Sequence, residues 1–248
     1  MPARNKIYFA SDFHLGIPDH ASSRIREDRI VRWLDLIKTD AAEIYLVGDI
    51  FDFWFEYKRA IPKGFIRFQG KLAELVDSGI KIRFFRGNHD MWMFDYFTKE
   101  LGIEIHSNEY IFERNGKRFY VHHGDGLGPG DSGFKIMKKF FRSNFCQWLF
   151  ARIHPNLGLW MGQSWSLKRR INHSKKEHNK EEHEWLVTYS KELLEKEHFD
   201  YLVFGHRHLP LDIQLGKSHY INLGEWIYYN TYAVFDGEDI TLEYFEKG

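Results

Sequence analysis

A 248-residue chain that sets 35 Lys and Arg against 35 Asp and Glu has no formal net charge, which excludes a uniformly basic nucleic-acid coat but leaves room for a local patch. The length suits one large α/β domain carrying an insertion, and 43% hydrophobic residues with 17% aromatic ones exclude an intrinsically disordered chain. The lone Cys146 permits no internal disulfide, which points to a reducing compartment and the cytoplasm. Ile7 to Ala10 is too short for the apolar core of a secretory signal. No later run approaches the roughly 20 apolar residues of a membrane span, so any membrane contact would be peripheral.

Strand-like and helical runs alternate from the start: Ile7 to Ala10, Ile25 to Ile37, Ile44 to Val47, Phe65 to Val76 and Ile82 to Phe85. This is a βαβαβ pattern. Ile30, Trp33, Leu34 and Ile37 recur at helical spacing, so one face of the first helix should pack on a sheet. Polar or Gly-containing clusters follow each strand, at Ser11 to Gly16, Gly48 to Asp52 and Gly87 to Asp90, where open α/β sheets gather ligands. Asn115-Gly116 between Tyr110 to Phe112 and Phe119 to Val121 predicts a hairpin. From Tyr201 onward, Tyr201 to Phe204, Ile213 to Leu215, Tyr220 to Asn222, Tyr232 to Phe235 and Ile240 to Tyr244 suggest a second set of strands. The expected fold is two packed sheets with helices outside, a four-layer αββα sandwich spanning residues 1–248 as one domain.

Between the halves, at about 127–185, lies a stretch of different character. From Asp131 to Lys180 eleven Lys and Arg face Asp131 and Glu177 alone, interleaved with Phe134, Phe140, Phe141, Phe145, Trp148, Trp160 and Trp165. It reads as an inserted basic, apolar, helical cap.

Asp12-Phe13-His14 follows the first strand, and two residues spaced by two on extended chain face the same side. Gly48-Asp49-Ile50-Phe51-Asp52 and Gly87-Asn88-His89-Asp90 follow the next two strands, each Gly permitting a sharp turn and close backbone approach. His122-His123-Gly124-Asp125 and Gly205-His206-Arg207-His208 follow two more. Singly, a strand-end Asp reads as a helix cap and a His as a structural residue. Five such loops together read as one metal site.

This ordered set resembles the calcineurin-like metallophosphoesterase superfamily, with its D-x-H, G-D-x-x-D, G-N-H-D, H and G-H-x-H blocks all intact. The resemblance implies two divalent cations, one on Asp12, His14, Asp49 and His208, the other on Asp49, Asn88, His123 and His206. Only Asp12 and Asp49 are formal anions among these, so the centre stays net positive and can draw phosphoryl oxygens. The mixed imidazole, carboxylate and amide set suits Mn²⁺, with Fe²⁺, Zn²⁺ or Co²⁺ as further candidates. The same resemblance casts His89 as general acid or transition-state stabiliser. Asp52 would either orient that ring or cap a helix, and Asp90, His122 and Asp125 would support from behind.

Within the superfamily the chain is similar to the UDP-2,3-diacylglucosamine pyrophosphatases of lipid A biosynthesis, through Gly48 to Trp54, His123 to Leu127 and the basic aromatic cap. This narrower resemblance implies an acyl-chain-covering cap, peripheral association with the cytoplasmic face of the inner membrane, and substrate contacts from Asn88, His89, Asp131, Ser174, His178 and His206. In the cap, Phe140, Phe141, Phe145 and Trp148 would line the acyl pocket while Lys138, Lys139, Arg142 and Lys168 to Arg170 face anionic headgroups. That family carries Arg and Glu where this chain has His89 and Asp52, a pair closer to a general phosphatase dyad. A nuclease, a nucleotide or phosphoprotein hydrolase, and a non-catalytic metal-binding scaffold are the alternatives, with no stable nucleic-acid partner expected.

Overall fold

The computed structural model describes residues 4–128, 132–173 and 185–246. β1 (Lys6–Ala10), β2 (Ala41–Val47), β3 (Lys81–Phe85) and β4 (Glu104–His106) run parallel. Between them stand α1 (His20–Ile37), α2 (Ile66–Asp77) and α3 (Tyr96–Leu101). α1 begins five residues before the expected Ile25 because the Asp19 side chain accepts from the Ser22 amide at 2.9 Å and caps it. The short α3 and β4 were not anticipated.

β5 (Tyr110–Arg114) and β6 (Lys117–His122) form the expected hairpin, with Asn115 and Gly116 both in the left-handed region at φ 52° and 74°. Then follow α4 (Ser132–Phe141), α5 (Asn144–Phe150), α6 (Pro155–His173) and α7 (Trp185–Leu194). The chain closes with β7 (Tyr201–Phe204), β8 (Pro210–Leu215), β9 (Ser218–Leu223), β10 (Thr231–Phe235) and β11 (Ile240–Tyr244).

The first sheet has the order β11-β10-β1-β2-β3-β4 and the second β5-β6-β7-β9-β8. The strands after Tyr201 divide between the two sheets. β10 pairs antiparallel with β1 and carries β11 with it. The reason is two-sided burial: Ala233 and Phe235 enter the core between the sheets, while Tyr232 and Val234 join the core beneath α1.

Alternation along each strand builds the layers. Ile7 and Phe9 of β1 face Phe119, Val121, Val203 and Ile221 of the second sheet, and Tyr8 and Ala10 face Ile30, Trp33 and Leu34 of α1. On the far side, Tyr120, Leu202, Phe204 and Tyr220 pack on Leu186 of α7 and on Phe199. The result is helix, sheet, sheet, helix. α4–α6 lie apart from these layers, where Phe141, Cys146 and Phe150 cluster with Phe55, Met91 and Trp92 of the loops after β2 and β3. Among the described residues no helix is long and apolar enough to cross a membrane.

Candidate metal centre

Because β1, β2 and β3 are parallel, and β6 and β7 likewise, all five motif loops leave their strands at carboxyl ends. The loops stay zipped beyond the strands. Asp12 N donates to Gly48 O, His14 N to Asp49 O and Asp52 N to Leu15 O, each at 3.0 Å, and Gly205 N donates to His123 O at 3.0 Å.

Asp12 and His14 converge by a different route from simple alternation. Asp12, His14, Asp49, His206 and His208 all take positive φ, between 45° and 69°, a region that costs a residue with a Cβ about 1 kcal/mol or more. Five such residues in one site are held there by their surroundings. Gly87 shows how tight the fit is: a Cβ on it would lie 2.1 Å from Asp49 Oδ1. Gly205 has the same role, since its Cβ would meet Asp12 Oδ2 at 2.5 Å.

The ligand-type atoms of Asp12, His14, Asp49 and His208 all lie within 4.8 Å of one another, and so do those of Asp49, His123 and His206. Asp49 belongs to both groups. Its Oδ2 is 3.4 Å from His123 Nε2 and 3.8 Å from His14 Nε2, while its Oδ1 accepts the His89 amide at 2.8 Å. His14 Nε2 and His208 Nε2 face each other at 3.0 Å, with Asp12 Oδ1 at 3.6 and 3.1 Å from them. His123 Nδ1 is 2.8 Å from the Val47 carbonyl, which fixes the proton there and turns Nε2 toward Asp49 as an atom that could hold a metal. Asn88 lies between Gly87 and His89, and its buried Oδ1 has no hydrogen-bond partner among the described residues. Convergent carboxylates and imidazoles with an orphaned amide oxygen fit divalent cations of the transition series.

Electrostatics point the same way. Burial acts to raise Asp12, but the neighbouring His14 and His208 rings reverse it and hold the carboxyl well below its ordinary range. Burial acts to lower His123, yet the facing Asp49 carboxylate outweighs it and raises the ring to about 10. The centre calls for positive charge. His206 is pushed down to about 3, first by burial and then by His123.

His89 sits beside this centre, 20% exposed at its side chain. The Asp52 carboxylate does not meet the His89 ring directly: Oδ1 is 3.6 Å from His89 Nδ1 but 3.3 Å from His14 Nδ1. His89 Nδ1 instead bonds the Asp52 carbonyl oxygen at 2.9 Å. Asp52 caps no helix, since α2 starts only at Ile66.

Asp90 is a clasp. Its buried carboxylate accepts from Gly87 N at 2.8 Å, Ile50 N at 2.8 Å, Asp49 N at 3.3 Å and Phe51 N at 3.4 Å, joining the two Asp49-side loops. Burial and then the Asp49 charge raise it to about 7. Asp90→Ala leaves these buried amides without an acceptor at about 1–3 kcal/mol for each strong bond lost. Denaturant unfolding should therefore show a loss of roughly 3 kcal/mol or more, with metal content reduced. Unchanged stability would rule the clasp out.

Around α4 the reading of surface cations is corrected at two residues. Lys138 turns inward, its Nζ 2.6 Å from both Asp125 Oδ2 and the Asp125 carbonyl, and Arg142 donates to Ser107 O at 3.1 Å. His122, pushed down to about 3 by burial, accepts the Gly124 amide through Nδ1. Phe141 is half-buried against the cluster that contains Trp92, and its carbonyl accepts from Trp92 Nε1 at 2.8 Å. Asp131, Ser174, His178 and the side chains of Lys168 to Arg170 lie outside the described residues. The sequence reading missed Ser166, whose Oγ is 3.2 Å from His89 Nδ1; the spacing Gly158, Gly162, Ser166 on α6 was the available signal.

Residues 5–210 match the family model described as calcineurin-like phosphoesterase. The chain is 40% identical to UDP-2,3-diacylglucosamine hydrolase of Porphyromonas gingivalis, covering 98% of this chain and 98% of that one. It is 25% identical to the enzyme of the same name from Actinobacillus succinogenes, over 90% of this chain and 92% of that one. Among solved structures, an archaeal phosphodiesterase superposes with a TM-score of 0.50 at 13% identity, over 97% of this chain and 99% of that one, a likeness of fold. With its five motif loops gathered on one centre and the family model spanning most of its length, the chain is a hydrolase that belongs to the calcineurin-like phosphoesterase family.

Proposed function

We propose that the chain hydrolyses the pyrophosphate bond of UDP-2,3-diacylglucosamine, giving UMP and 2,3-diacylglucosamine 1-phosphate for lipid A biosynthesis. The observation that carries this reading is the surface of α4–α6 beside the Asp49 centre. Phe140, Phe145, Trp148, Leu157, Trp160 and Trp165 are each between 50% and 65% exposed there. Large apolar side chains left in water on three consecutive helices suit acyl chains and would not serve a wholly soluble substrate. The names of the relatives support the same substrate.

Asp12, His14, Asp49 and His208 would hold one cation and Asp49, Asn88, His123 and His206 the other, with manganese favoured over iron, zinc or cobalt. Two bound cations supply positive charge for the phosphoryl oxygens and activate water. His89 presents Nε2 to the leaving oxygen, since Nδ1 is engaged by the Asp52 carbonyl. The whole chain acts as one domain with residues 127–185 as its cap. Lys139 and Arg152 are exposed beside the aromatic face, with the Arg152 guanidinium 3.7 Å from the Trp148 ring, and this mixture supports salt-sensitive binding to an anionic cytoplasmic membrane surface.

The test is a panel of UDP-2,3-diacylglucosamine, ATP, a p-nitrophenyl phosphodiester and single-stranded DNA, assayed with Mn²⁺. The diacylated sugar nucleotide should be turned over best. Trp148→Asp and Phe145→Asp should each slow it on the order of tenfold, the worth of roughly two buried methylenes, and leave the p-nitrophenyl ester nearly unaffected. Equal losses on both substrates would make the helices purely structural, and no loss on either would remove the main support for the lipid substrate.

A further inference from the structure

We infer that Ser166, on α6, is a positioning residue that accepts the Nδ1 hydrogen of His89 and fixes the orientation of its ring. The inference rests on the reading of His89 as the group that meets the leaving oxygen. It begins from the gap in the pair: at 3.6 Å, Asp52 Oδ1 and His89 Nδ1 are too far apart for a direct hydrogen bond. A carbonyl oxygen can only accept, so the 2.9 Å contact of His89 Nδ1 with the Asp52 carbonyl places the ring hydrogen on Nδ1.

Ser166 Oγ lies 3.2 Å from that nitrogen. With Nδ1 already the donor, the hydroxyl oxygen accepts from it. Ser166 is only 4% exposed, so water competes little for that bond. The hydroxyl and the Asp52 carbonyl share the Nδ1 hydrogen, fix the ring's tautomer and rotation, and leave Nε2 for chemistry.

Its placement follows from the helix. Gly158, Gly162 and Ser166 stand four residues apart and share one face of α6. A Cβ on Gly158 would lie 2.2 Å from the Tyr57 hydroxyl oxygen, and one on Gly162 would lie 2.3 Å from the Phe53 ring. Only glycine lets the helix lie this close to the loop after β2. That contact carries the third residue of the row to His89. α6 also bears Trp160 and Trp165, so the helix that displays the apolar surface also steadies the catalytic ring.

The experiment compares Ser166→Ala, Ser166→Thr, His89→Ala and the Ser166→Ala/His89→Ala double variant as full-length, Mn²⁺-loaded proteins on a phosphodiester with an alkyl leaving group. Metal content is measured on each. Ser166→Ala should lower kcat about 10- to 100-fold, the usual effect of removing a partner that orients a working side chain, with KM and metal content unchanged. Ser166→Thr, which keeps the hydroxyl, should restore most of the rate. The double variant should be no slower than His89→Ala alone, because a residue acting only through His89 has nothing left to act on. Unchanged kcat in Ser166→Ala beside a collapse in His89→Ala would overturn the role of Ser166 alone. So would additive losses or failure of threonine to rescue. If His89→Ala itself kept full rate, the role of His89 would fail first.

Discussion

Asp49→Ala should reduce hydrolysis of every phosphoester to background and strip the centre of its cations. Among the described residues no other carboxylate belongs to both groups of ligand-type atoms, and Asp49 also holds the His89 amide through Oδ1, so its loss opens both halves of the site at once. Asp52→Ala is the contrast. The Asp52 carboxylate approaches His14 Nδ1 at 3.3 Å and lies 3.6 Å from His89 Nδ1, so its removal should slow turnover about 10- to 100-fold with most metal retained. Elemental analysis beside the rate assay separates the two. Chelation of the wild type should mimic Asp49→Ala, and added Mn²⁺ should reverse it. An Asp49→Ala protein with full activity or two bound equivalents of metal would dismantle the shared-carboxylate assignment.

The second large effect is expected at His89, where alanine should lower kcat by about 10²- to 10⁴-fold with KM little changed, the range for a proton-transferring group in the transition state. Metal content should be spared. The His89 ring lies outside both groups that contain Asp49, and the backbone amide that holds Asp49 Oδ1 survives the substitution. Loss should be greater for a phosphodiester with an alkyl leaving group than for p-nitrophenolate, which departs without help. Metal loss in His89→Ala would show a ring that props the centre rather than one that acts on substrate.

Much of the fold could be read locally. The Asn115-Gly116 turn, the apolar face of α1 and the polar clusters after β1, β2 and β3 are short-range patterns set by backbone sterics and by which face must leave water. β10 and β11 could not be placed in the same way. An alternating five-residue strand says that it is half or wholly buried but does not name its neighbour, and Ala233 and Phe235 chose β1's sheet through packing distant in sequence. The short α3 and β4 carry too few periodic residues to stand out.

The same division runs through the site. By itself the sequence determined which residues bring chemistry: carboxylates, imidazoles and an amide, each on a loop that Gly48, Gly87 or Gly205 allows to turn or to approach closely. Residue type and local turn preference are encoded within a few positions of the chain. Which atoms meet was decided only by tertiary structure. The left-handed turns at Asp12 and His14, the burial of Lys138 on Asp125, and the Ser166 hydroxyl against the His89 ring depend on strands and helices far apart in sequence. A hydrogen bond changes with tenths of an ångström, and only the packed core holds its partners to that tolerance.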